Sequence, residues 1–185
     1  MAQRDGRKTA ELIELAKRYY QENDFEKARS ACLLALGSKI GSRQKIDLLC
    51  LLGDSDFMRN ELPSAKNAYN NAMDNLTGIS QTQKVRAQIL VSLSNVKRGL
   101  GEFDQAEADA RRALEITPKQ DLVTFRRIIE ALCNLVKIYA ATGMKTQASN
   151  ILSICSSAVD GRKDPQSLSI VKLALQMMTV DKSEQ

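Results

Sequence analysis

Four alanines, Ala28, Ala65, Ala106 and Ala148, recur at gaps of 37, 41 and 42 residues. Each opens the small-residue stripe of an amphipathic segment. The clearest copy runs from Gly101 to Pro118: a tight turn at Gly101, one helix, then a proline stop. Ala106, Ala110 and Ala113 are spaced i, i+4, i+7, which puts them on one helix face. Alanine on a packing face fills little space and lets a neighbouring helix come close. A single helical hairpin cannot bury its apolar face, but stacked hairpins can. The register therefore predicts an all-α solenoid of four helical hairpins followed by a C-terminal helix.

Punctuation along the chain gives the expected boundaries. A helix capped by Thr9 runs to about Glu22 with Leu12, Leu15, Ala16 and Tyr19 on its stripe. Asn23-Asp24 turns the chain into a second helix from Phe25, carrying Ala28, Ala31, Cys32 and Ala35 and fading at Gly37. The pair recurs from about Ser42 to Arg59 and, after Asn60-Glu61, from Pro63, a preferred residue at a helix start. The third pair spans about Thr82 to Leu100 and Phe103 to Ile116. The fourth spans about Asp121 to Ala141 and Lys145 to Val159. The approximate repeats are 9–41, 45–78, 82–118 and 121–160, forming one domain over 9–180. Asp164-Pro165 starts a last helix, 165–180, as N-cap and first residue. Residues 1–8 and 181–185 are polar and expected to be flexible.

Composition narrows the chemistry. The chain has no histidine, which removes the commonest general base and metal ligand. Its four cysteines, Cys32, Cys50, Cys133 and Cys155, form no C-x-x-C pair. They read as packed, reduced thiols. There is no glycine-rich phosphate loop, and Asp54 and Asp56 face differently on a helix. No enzyme, metal or cofactor is expected. The net charge of +5 comes from 27 basic and 22 acidic residues spread along the chain. Arg4, Arg7 and Lys8, Arg111-Arg112 and Arg126-Arg127 are the compact basic clusters, and the two later pairs read as solvated helix face. That distribution argues against a nucleic-acid partner. The polar start does not read as a secretory signal, and no stretch approaches the roughly 20 apolar residues of a membrane span. A soluble cytoplasmic protein is expected.

The pattern resembles the tetratricopeptide repeat, whose signature is W-x2-L-G-x2-Y on the first helix and A-x3-F with a closing proline on the second. The matching residues are Leu12, Leu15, Ala16, Tyr19, Ala28 and Cys32, then Leu49, Leu52, Gly53, Ala65 and Tyr69. Next come Leu90, Leu93, Ser94, Ala106, Ala110 and Pro118, and last Leu132, Leu135, Val136, Tyr139, Ala148 and Leu152. The resemblance covers roughly residues 9–159. The spacing exceeds the usual ~34 residues, and is similar to the longer-helix branch that includes kinesin light chain. Leu132-Cys133-Asn134-Leu135 with Tyr139 is similar to the L-N-N-L…Y run of that branch.

The resemblance implies a protein-binding adaptor or scaffold with a concave groove lined by the first helices. Groove positions are then Ile13, Glu14 and Lys17; Asp47, Leu51 and Asp54; Gln88, Ser92, Asn95 and Arg98; Glu130, Asn134 and Lys137. Of these, Glu14, Lys17, Asp54, Asn95, Arg98, Asn134 and Lys137 are the candidate peptide-binding residues. Asn can donate to and accept from an extended backbone at once, while Arg98 and Lys137 suit a carboxylate. The five-residue clamp that holds chaperone C-termini is incomplete: Val91 stands where its first lysine belongs, and only Lys172 could supply the arginine. The last helix carries two apolar stripes. Leu168, Val171, Leu175 and Met178 form one, the candidate partner or homodimer contact; Ile170, Leu173, Ala174 and Met177 form the other. A self-assembling structural subunit or assembly chaperone using this helix is the alternative reading.

Overall fold

The computed structural model describes residues 2–77, 79 and 82–180, and the side chains of 9–77, 79 and 82–178. Nine α-helices and no strand occur among them: α1 Ala2–Gln21, α2 Phe25–Leu36, α3 Ser42–Met58, α4 Leu62–Asn75, α5 Gln83–Gly99, α6 Phe103–Ile116, α7 Leu122–Ala141, α8 Lys145–Arg162 and α9 Pro165–Val180. None of these helices is long and apolar enough to cross a membrane. The chain divides into two compact units, Met1–Thr82 with α1–α4 and Gln83–Gln185 with α5–α9.

All four hairpin turns are closed by the same hydrogen bonds. Asn23, Asn60, Gly101 and Gly143 adopt φ of 61°, 60°, 78° and 79°. A left-handed residue just past a helix suits Gly, and Asn more than most residues. The next residue donates its N–H back across the turn: Asp24 to Tyr19 at 2.8 Å, Glu61 to Asp56 at 2.8 Å, Glu102 to Lys97 at 2.9 Å and Met144 to Tyr139 at 2.8 Å. The left-handed residues themselves donate to Tyr20, Phe57, Arg98 and Ala140. These two bonds per turn form a Schellman closure, which satisfies carbonyls that would otherwise be orphaned at the helix end. The turns fall at the 37-, 41- and 42-residue gaps of the alanine register.

Inside the hairpins the register alanines are fully buried: Ala28, Ala65, Ala106 and Ala148. Opposite them the first helices present small residues. Gly53 lies under the ring of Tyr69, and Ser94 donates its hydroxyl to the Ala106 carbonyl at 2.7 Å. In the first unit Ala16, Ala31, Cys32, Ala35, Leu48, Leu52 and Ala68 form one core cluster, with Leu12, Ile13, Tyr19 and Leu51 packed against it. In the second unit α7 touches α5, α6, α8 and α9 and is its core helix. Phe125, Ile128, Ile129, Leu132, Leu135, Val136 and Tyr139 are buried on it. Burial stabilises by roughly 1.5–3 kcal/mol for each large apolar side chain.

The second unit is also tied at its loops. Arg162 at the end of α8 lies over the Phe125 ring, 4.3 Å from its centre, and donates to the carbonyls of Thr117, Pro118 and Lys119 at 2.8, 2.8 and 3.0 Å. Lys163 closes α8 in a left-handed conformation at φ 54°. One expectation is corrected, the cap at Thr9. α1 begins at Ala2, ahead of the expected start at Thr9, through a stretch in which Ala, Gln, Arg and Lys are good helix formers. Thr9 accordingly lies within α1, buried, and does not cap it. The tail 181–185 lies outside the described residues.

Candidate functional site

Side-by-side first helices, α1 with α3 and α5 with α7 and α9, give each unit a first-helix face. In the first unit a pocket of about 200 Å³ lies between α1 and α3. Ile13, Glu14, Lys17, Asp47 and Leu51 line it together with Ala10, Gln44 and Leu48. Ile13 and Leu51 form an apolar floor, since both also pack on the core cluster. Glu14 and Lys17, an exposed ion pair at 2.8 Å, and the exposed Asp47 make a charged rim. Asp54 belongs elsewhere. Its carboxylate accepts the Tyr69 hydroxyl of α4, so it serves the α3–α4 hairpin rather than the pocket.

In the second unit Arg127 Nη2 approaches Ser92 Oγ at 3.4 Å, which joins the faces of α5 and α7. Lys137 Nζ and Asn134 Oδ1 are also 3.4 Å apart, one helical turn on. Gln88, Asn95, Asn134 and Lys137 are half-buried, Ser92 is buried and Glu130 is exposed. Arg98 is half-buried, and its Nε is buried without an acceptor among the described residues. The face thus offers amide, hydroxyl and cationic groups beside one carboxylate, groups that can hold a polypeptide backbone and its acidic side chains.

The two arginine pairs divide differently from a uniformly solvated face. Arg126 forms a two-pronged bond with the buried Asp164 at 2.8 and 3.0 Å, whereas its neighbour Arg127 stays exposed on the first-helix face. Arg111 pairs with Glu107 at 2.6 Å and Arg112 is exposed. Arg127 had a sequence signal: it precedes Glu130 and Asn134 by three and seven residues and shares their face.

On α9 the stripes sort differently from the expectation. Val171 is 4% exposed and packs inward with Ser167 and Ala174, while Leu168 and Met178 are half-buried. Of the candidate contact stripe only Leu175 stays open, at 50% exposure. Leu173 and Met177 of the other stripe are 53% and 50% exposed. The reason is the cap: Asp164 binds the Ser167 N–H and hydroxyl and Arg126 of α7, and so fixes which side of α9 meets α7.

Cys32 and Cys50 are poor sources of thiolate at neutral pH. Burial pushes Cys32 and Cys50 up to about 12. The Cys155 thiol hydrogen-bonds to Cys133 across the α7–α8 hairpin, which raises Cys155 and lowers Cys133. Cys32, Cys133 and Cys155 are buried.

Residues 87–120, the hairpin of α5 and α6, match the family model of the tetratricopeptide repeat. No curated protein matches the sequence. Among solved structures, the crystal structure of MamA is similar with a TM-score of 0.65 at 19% identity, over 84% of this chain and 80% of that one. The crystal structure of BtubC (BKLC) from P. vanneervenii is similar with a TM-score of 0.56 at 19% identity, over 98% of this chain and 84% of that one. At such identities the likeness is one of fold. One hairpin is thus similar to a tetratricopeptide repeat by direct match, and the same turn closure recurs at the other three.

Proposed function

We propose that the chain is a protein-binding scaffold whose first-helix faces receive a segment of a partner protein. Helical repeat proteins use such extended surfaces for binding. One observation carries the reading. Outside the hairpin cores, the pocket between α1 and α3 combines an apolar floor with a charged rim, the mixture typical of a ligand-binding site. The polar groups of the second unit, Asn95, Asn134 and Lys137, extend the same chemistry. Backbone capture by asparagine and carboxylate capture by Lys137 give affinity for a peptide or helix. Buried, unbridged thiols suit a reducing compartment, in keeping with work in the cytoplasm.

The test is capture from native lysate by wild type beside two variants of equal helicity, Lys17→Glu/Leu51→Ser and Asn95→Ala/Asn134→Ala/Lys137→Glu. The reading expects at least one partner to be retained by wild type and lost by one variant. Identical captures by all three proteins would overturn it.

A further inference from the structure

The starts of α7 and α9 repeat one another. Asp121 accepts the N–H and hydroxyl of Thr124, and Asp164 accepts those of Ser167. Each aspartate also meets a cation of the preceding first helix, Lys84 at 3.8 Å and Arg126 at 2.8 Å. Aligned on these caps, Val171 falls on Ile128 and Ala174 on Ala131, all four buried. In the same register Leu173 falls on Glu130 and Met177 on Asn134. Gln176 falls on Cys133, the residue that meets Cys155 of α8. The side of α9 that would meet a further second helix carries Lys172 and Gln176 beside the exposed Leu175, which falls on Leu132. A second apolar side, Leu173 and Met177 with the half-buried Ile170, continues the first-helix face.

Charge on that face supplies the rest of the complement. Arg98, Arg127 and Lys137 carry positive charge there, against Glu130 alone. Arg127 and Lys137 hydrogen-bond to the neutral Ser92 and Asn134. Gln88, Ser92 and Asn95 of α5 are neutral, and Lys172 lies on the far side of α9. We propose that the second unit binds an acidic, aliphatic segment of another protein. Its large apolar side chains sit on Ile170, Leu173 and Met177, and its carboxylates reach Arg127 and Lys137. This rests on the scaffold reading above and names the chemistry of its ligand.

The test selects random phage-displayed peptides against the full chain and titrates the enriched ones as synthetic peptides. Enriched peptides should combine Leu, Ile or Met with Asp or Glu. Leu173→Ser/Met177→Ser should weaken them about tenfold or more, and Lys137→Glu by a similar factor. Leu175→Ser, equally exposed but on the other flank, should leave affinity unchanged. All three variants alter exposed or half-buried side chains, and circular dichroism checks that they fold. Peptides lost on Asn95→Ala/Asn134→Ala but insensitive to Leu173→Ser/Met177→Ser would overturn this inference and leave the scaffold reading standing. No enrichment, or binding insensitive to every variant, would overturn both. A concentration-dependent dimer in sedimentation that dissociates on Leu173→Ser/Met177→Ser would overturn the inference by making a second copy the occupant.

Discussion

Gly53 lies inside α3, where a glycine-to-alanine change ordinarily stabilises a helix by about 1 kcal/mol. Here the opposite sign is expected. A Cβ at Gly53 would sit 2.8 Å from Cε1 and Cζ of Tyr69 and 2.9 Å from its Cδ1. Carbon atoms rest at about 3.5–4.0 Å, so the ring would have to retreat by roughly 0.7 Å. The ring has little room: Tyr69 is buried, and its hydroxyl is held by Asp54. Overpacking of this kind costs about 1–3 kcal/mol. Set against the propensity gain, Gly53→Ala should destabilise by roughly 1 kcal/mol. Tyr69→Leu removes Cε1, Cζ and the hydroxyl and leaves a side chain that can change rotamer. In that background Gly53→Ala should stabilise by up to about 1 kcal/mol. The double-mutant cycle then gives a coupling of about 1–2 kcal/mol. Urea unfolding followed by circular dichroism measures all four proteins, with m-values checked for constancy. A higher midpoint for Gly53→Ala in the wild-type background would refute the close approach and the hairpin packing built on it.

Gly101→Ala should cost about 1–2 kcal/mol from its left-handed φ alone, because a Cβ there meets nothing within 4 Å. Lys163→Gly should do the reverse at the end of α8, stabilising by up to about 1 kcal/mol, with urea midpoints as the readout for both. Arg126 first, then Ser167, hold the Asp164 carboxyl well below the usual carboxylate range. The folded state therefore binds fewer protons than the unfolded one. The stabilisation is complete above the unfolded value of about 3.9 and is lost as pH falls below it. Asp164→Asn should lower stability at neutral pH and flatten the acid limb of a stability–pH curve between about pH 4 and 2. An unchanged acid limb would contradict the Arg126–Asp164 geometry.

The hairpin boundaries were legible because each is marked locally. Asn23, Asn60, Gly101 and Gly143 carry the turn, and the alanine register repeats at the same gaps. The start of α1 was not, since Ala2–Lys8 has no apolar stripe to announce a helix. Asp54 reads as groove from its position on α3, and that position gives no sign of its bond to Tyr69 on another helix. On α9 both stripes are apolar, so sequence periodicity could not say which one packs. That depends on the long-range pairing of Asp164 with Arg126. The same pairing separates Arg126 from Arg127, adjacent residues that read as one cluster in the sequence.

The most direct test of the central claim places a photo-crosslinking amino acid at Asn134, on the first-helix face, and in a second protein at Leu34, which is exposed on α2. Both proteins are irradiated in native lysate. A discrete crosslinked partner is expected from Asn134, and none of the same mass increment from Leu34. The same adduct from Leu34, or adducts from Leu34 alone, would contradict the claim.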